Sequence, residues 1–128
     1  MLAQISLEFI TFITFLLALL SLVIYQRYIL AIQTEEFKAW QDAQKTVDEI
    51  AAEINLAVKI GDGYSHTFYV EKNLYGISNF TVEVDNYTVS LMWKDGTVYS
   101  QIIIKNITGQ IKPGYNLIKN INGWVYVE

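Results

Sequence analysis

The chain has 128 residues, nine Lys and Arg against 13 Asp and Glu, a net charge of −4 and no cysteine. The lack of cysteine excludes a disulfide framework and a thiolate metal site. Lysines are scattered singly and Arg27 is the only arginine, so there is no basic patch to neutralise phosphates and nucleic acid is not an expected partner. Apolar residues crowd the first third, while Tyr, Val, Ile, Asn and Thr dominate the last half. That split predicts one membrane-type segment and one small globular unit, whose limited core leans on a neighbour.

Between Phe9 and Gln26 no side chain is charged. At 1.5 Å per residue these 18 residues span about 27 Å, close to a hydrocarbon core. Tyr25 and Tyr28 stand where an aromatic belt lies. Arg27 can extend its charge to the interface, so the insertable span runs to Ile32. The run is longer than a secretory signal, and Gln33-Thr34-Glu35-Glu36 after it is not a cleavage site, so the segment is expected to be retained. Thr11, Thr14, Ala18 and Ser21 permit close helix approach within it.

Downstream, Phe37, Trp40, Val47, Ile50, Ile54 and Val58 recur at steps of three, four and seven, which predicts an amphipathic helix packed under a sheet or against other helices. The first backbone breaker after Met1 is Gly61-Asp62-Gly63. One continuous helix over 5–59 is therefore expected, apolar all round in its first half and apolar on one stripe in its second. After Gly63 the period changes to two. Phe80, Val82 and Val84 alternate with Thr81, Glu83 and Asp85; Tyr87, Val89, Leu91 and Trp93 alternate with Thr88, Ser90 and Met92. Asp95-Gly96 and Asn122-Gly123 predict hairpin turns at positive φ, and Pro113-Gly114 predicts another turn. With a return strand over 98–105, strands over 116–121 and 124–127 and an earlier one over 67–71, the expected fold is α+β: a long N-terminal helix, then a small antiparallel β domain of five or six strands.

Directly before the apolar run stands Gln4-Ile5-Ser6-Leu7-Glu8-Phe9. It resembles the Gln-x-Ser-x-Glu-Phe signature of archaeal class III signal peptides, carried by type IV pilin-like subunits. The resemblance implies that a dedicated membrane peptidase cuts between Ala3 and Gln4 and leaves the apolar segment on the mature chain. It makes Glu8 the fifth residue of that chain, where type IV pilins carry a Glu. Residues 1–3 are then a short leader. Residues 4–60 form the long helix with a membrane or filament-core segment over 9–32, and 61–128 form an extracellular β domain. Gln4, Ser6, Glu8 and Phe9 become the residues of subunit assembly.

A carboxylate at the edge of a hydrocarbon-suited segment needs a partner, since a charge at mid-helix costs on the order of 3 kcal/mol on insertion scales. The new α-amino group of Gln4 on another subunit would supply one. The expected function is thus a structural subunit of an archaeal pilus-like surface filament serving adhesion. It would polymerise with itself, wait in the membrane before assembly and depend on a prepilin peptidase and assembly machinery. The alternatives are a single-pass anchored surface protein, or a minor pilin or component of a related secretion or motility filament.

Three sequons, at Asn79, Asn86 and Asn106, fall at expected strand ends or turns and are candidate N-glycosylation sites. His66 is the only histidine and is expected to face solvent. No nucleophile with a matching base and no phosphate-binding glycine loop stands out, so neither catalysis, nor a metal, nor a cofactor is expected.

Overall fold

The structure, a computed structural model, describes residues 2–105 and 107–128, with side chains described from Ser6 onward. One helix, α1 (Leu2–Ile60), precedes seven strands: β1 (Ser65–Val70), β2 (Phe80–Asp85), β3 (Thr88–Trp93), β4 (Gly96–Gln101), β5 (Thr108–Gly109), β6 (Gly114–Ile121) and β7 (Trp124–Val127). Compactness divides the chain into residues 1–36, all helix where described, and residues 37–128, which hold the rest of α1 and every strand.

The helix ends where the sequence places its first glycine. Gly61 adopts φ +87°, open to a residue without Cβ, and its N–H donates to the Ala57 carbonyl at 3.2 Å. Lys59 in the last turn complements the negative end of the helix dipole.

In the second unit two sheets share a core with the helix. One has the order β1-β6-β7-β5 and the other β2-β3-β4. From α1 come Ala43, Val47, Ile50, Ala51, Ile54 and Ala57; the strands add Phe68, Val70, Val89, Leu91, Val98, Ile118, Val125 and Val127. The expected stripe thus holds at Val47, Ile50 and Ile54, with Val58 half-buried against the cluster. Phe37 does not join this core and is 62 % exposed within the chain. Three alanines complete the buried face and let the sheets approach the helix backbone closely. Trp40, 43 % exposed, meets Trp93 edge-on with ring centroids 4.9 Å apart.

Strand β4 stops at Gln101, short of the expected 105, because the following backbone groups find other partners. The Asn55 side chain on α1 accepts from the Ile103 N–H at 2.9 Å and donates to the Gln101 carbonyl at 3.4 Å. The Ile102 N–H donates to the carbonyl of Tyr87 at 2.9 Å. Tyr87 itself, expected within a strand, sits with Asn86 in a two-residue turn joining β2 to β3, at φ +64° and +47°. Asn122-Gly123 makes the matching turn between β6 and β7 as the sequence predicts, at φ +54° and +83°. The seventh strand is the two-residue β5, which pairs parallel to β7 and is too short to show a period of two.

The expected hairpin forms, but its two turn residues are Lys94 and Asp95, with Gly96 already paired to Trp93 in β4, and none of the three has positive φ. Gly96 is required for space. A Cβ there would lie 2.6 Å and 2.8 Å from the Trp40 ring and 2.8 Å from the Trp93 ring. Gly96→Ala is therefore expected to push the two indoles apart and cost about 1–3 kcal/mol. A lower thermal midpoint with altered tryptophan fluorescence would show this; unchanged fluorescence would refute it.

Asn120, 2 % exposed, ties three elements together. Its amide donates to the Ala57 carbonyl near the helix end at 3.0 Å, and its oxygen accepts from the Gly123 N–H of the last hairpin at 3.0 Å. Its backbone N–H donates to the Tyr64 carbonyl, and its carbonyl accepts from the Gly63 N–H. One buried amide thus adds a second donor to the Ala57 carbonyl, which already accepts from Gly61, and fixes the turn beside it.

Candidate functional site

Residues 6–36 form a helix whose large apolar side chains stand open to solvent on every face, from Leu7 and Phe9 through Phe15 and Leu22 to Ile32. Its most apolar 18-residue window has a mean hydropathy of 2.5, and none of that window is buried. By length and composition this helix can cross a membrane. Each such Leu, Ile or Phe side chain gains about 1.5–3 kcal/mol when fully withdrawn from water. A helix apolar all round is of the kind buried in a membrane or in a protein core.

Hydroxyls within this run are arranged for such surroundings. Thr11 donates to the Leu7 carbonyl, Thr14 to Ile10, Ser21 to Ala18 and Thr34 to Leu30, each at 2.8 Å. Every one of these hydroxyls donates within its own helix, so none carries an unmet donor into a dry environment. Ser6, Glu8 and Phe9 all lie on the exposed helix. Glu8 and Arg27 bracket the charge-free stretch, and among the described residues neither has an ion-pair partner. Ala3 and Gln4 fall within α1, but their side chains lie outside the described ones.

Asn79 and Asn86 are exposed, the first just before β2 and the second at a hairpin tip. Asn106 lies outside the described residues.

A groove of about 430 Å³ runs between α1 and β1, lined by Thr46, Glu49, Glu53, His66, Phe68 and Tyr69 among others. His66 Nδ1 lies 3.1 Å from a Glu53 carboxylate oxygen. Burial, and then the neighbouring Glu53 carboxylate, raise the Tyr64 hydroxyl above its ordinary pKa. This helix-to-strand contact spans 13 residues of sequence and has no signature in the period of either element. Among the described residues no group of three or more His, Asp and Glu converges as metal ligands would.

On the outer face of the larger sheet Tyr69 and Tyr115 stand opposite each other with ring centroids 4.9 Å apart, and Tyr115 is 81 % exposed. Trp124 is exposed on β7 of the same sheet.

Comparison with models of known protein families, with curated proteins and with solved structures finds no match to this chain.

Proposed function

We propose that this chain is a structural subunit of an archaeal type IV pilus-like surface filament, built by bundling copies of the apolar helix. The observation that carries the reading is the wholly exposed apolar run that begins directly after Gln4-Ile5-Ser6-Leu7-Glu8-Phe9. Before assembly the helix rests in the membrane, and a prepilin peptidase cuts between Ala3 and Gln4. Copies then leave lipid for the bundle. Lipid tails and apolar side chains are alike in polarity, so helix packing and polar pairing drive that step more than simple hydrophobicity.

The β unit remains outside. Its exposed Tyr69, Tyr115 and Trp124 offer surface for adhesion, and Asn79 and Asn86 are open to a glycosylating enzyme. Glu8 acts in assembly by accepting the Gln4 amine of another copy. Those two residues are separated by about 6 Å along the axis, so a stagger of that size levels one with the other.

The test is mass spectrometry of the N-terminal peptide of protein isolated from its own cells, together with electron microscopy of the sheared surface fraction. A chain beginning at Gln4 within filaments is the expected result. A chain still beginning at Met1 in its mature location, with no polymer, makes the protein a single-pass membrane anchor instead. A cut chain found only as a trace component of filaments makes it a minor subunit.

A further inference from the structure

We propose that Arg27 of one copy pairs with Glu8 of a second copy displaced along the helix axis by about 28 Å. This rests on the filament reading above and assigns to Arg27 a partner that the pilin resemblance does not supply.

Glu8 and Arg27 close the two ends of a stretch in which no other side chain is charged. Both are exposed, and among the described residues neither is paired within the chain. In lipid each can reach its own interface. In a bundle of helices that route closes, and each charge needs an opposite one from a neighbour. The nearest other charges of this unit are Glu35 and Glu36; Glu35 already has a contact within the chain, and both stand in the polar stretch after Ile32. Glu8 is the carboxylate with apolar surroundings as extensive as those of Arg27. A guanidinium stays charged there and binds a carboxylate through two parallel N–H bonds. The carboxylate retains lone pairs for the Gln4 amine as well.

Geometry decides how such pairs connect copies. Glu8 and Arg27 are 19 residues apart, about 28 Å along the axis and about 100° around it. They cannot meet within one helix. Between parallel copies the contact cannot be returned by the same partner, because the stagger that brings one pair together separates the other. Each copy therefore offers Glu8 to one neighbour and Arg27 to a different one. Such a heterologous contact with an axial translation does not close, and it propagates as a filament. In the same stagger Leu30 of one copy lies beside Thr11 of the next, an apolar side chain beside a hydroxyl already bonded to its own helix.

The absence of native cysteine makes this testable by cross-linking. Filaments of Thr11→Cys/Leu30→Cys, which keeps both charges, and membrane-held chains of Glu8→Cys/Arg27→Cys, which does not, would be oxidised with copper phenanthroline and run on non-reducing gels. A ladder reaching trimers and beyond is expected from the filaments, with each single-cysteine variant remaining monomeric because its cysteine faces no other. Thr11 and Leu30 lie on the same two faces one turn on from Glu8 and Arg27, so the cysteines of this second pair meet in the same stagger. Filaments without a ladder in this second pair overturn the contact while leaving the filament reading intact. A dimer from Glu8→Cys/Arg27→Cys with no product from Thr11→Cys/Leu30→Cys overturns the stagger in favour of a reciprocal antiparallel pair, in which Thr11 is level with Ile24 and not with Leu30. Normal filament yield from Arg27→Glu also overturns the pairing. Absence of filaments from the unaltered chain is a separate failure, that of the proposed function itself.

Discussion

Ile54→Ala is expected to destabilise the β unit by about 2–5 kcal/mol. In a unit of this size that lowers the thermal midpoint by roughly 15 °C. Ile54 is 0 % exposed and lies in the core shared by α1 and both sheets. Alanine is the best helix former, so the substitution does not weaken the helix itself; the loss is cavity and transfer free energy. Leu56, two residues on, is 44 % exposed, and Leu56→Ala is expected to change stability by less than about 0.5 kcal/mol. Thermal unfolding of the full chain in detergent, followed by tryptophan fluorescence, compares the two. Equal shifts would mean that this part of α1 does not pack against the sheets.

Ile54 also shows which features were legible in the sequence. It recurs with Val47 and Ile50 on a helical period, and all three are buried. The other half of that buried face is Ala43, Ala51 and Ala57, which carry almost no hydropathy signal yet set how near the sheets come. Phe37 fits the period and is nevertheless exposed, because periodicity reports a face but not how far along the helix the packed strands reach. In the β unit, Asn122-Gly123 was readable because positive φ at both turn positions selects such residues. Asn86-Tyr87 was not: tyrosine at φ +64° contradicts its strand preference, and backbone bonds to Ile102 and Lys105 hold it there.

Gly96 falls in β4 beside the expected hairpin turn and not in it, and is required there because the two indoles above it occupy the space of a side chain. The end of β4 depends on Asn55, 46 residues away from Gln101, and no local pattern anticipates such a bond. For the candidate site the situation is reversed. The apolar run and its bracketing charges are contiguous in sequence, so the reading needed no tertiary contact. The structure adds that the run is bare on all faces and that its hydroxyls bond back to their own helix.

Glu8→Ala is expected to leave the chain in the membrane and reduce filament yield by about tenfold or more, a change equivalent to about 1.4 kcal/mol in the assembly equilibrium. The two outcomes separate because the two environments treat the carboxylate differently. At the membrane boundary Glu8 can face water, and replacing it with alanine makes insertion slightly easier. Inside a bundle the same carboxylate is proposed to hold the amine of one neighbour and the guanidinium of another. Removing it leaves both cations in a dry core without a counter-charge, and the cost of an unpaired buried charge exceeds what the pair itself contributed. Glu8→Gln keeps the shape and an acceptor oxygen but not the charge, so its yield should fall between those of alanine and glutamate. The sheared surface fraction and the membrane fraction are assayed together by immunoblot. The N-terminal peptide of each variant is sequenced, because Glu8 also lies within the motif the peptidase would read. Variants still cut before Gln4 that accumulate in the membrane and fail to polymerise place the defect in assembly. Full filament yield from Glu8→Ala would show that the carboxylate has no partner in the bundle, and the apolar surface alone would then have to set the register between copies.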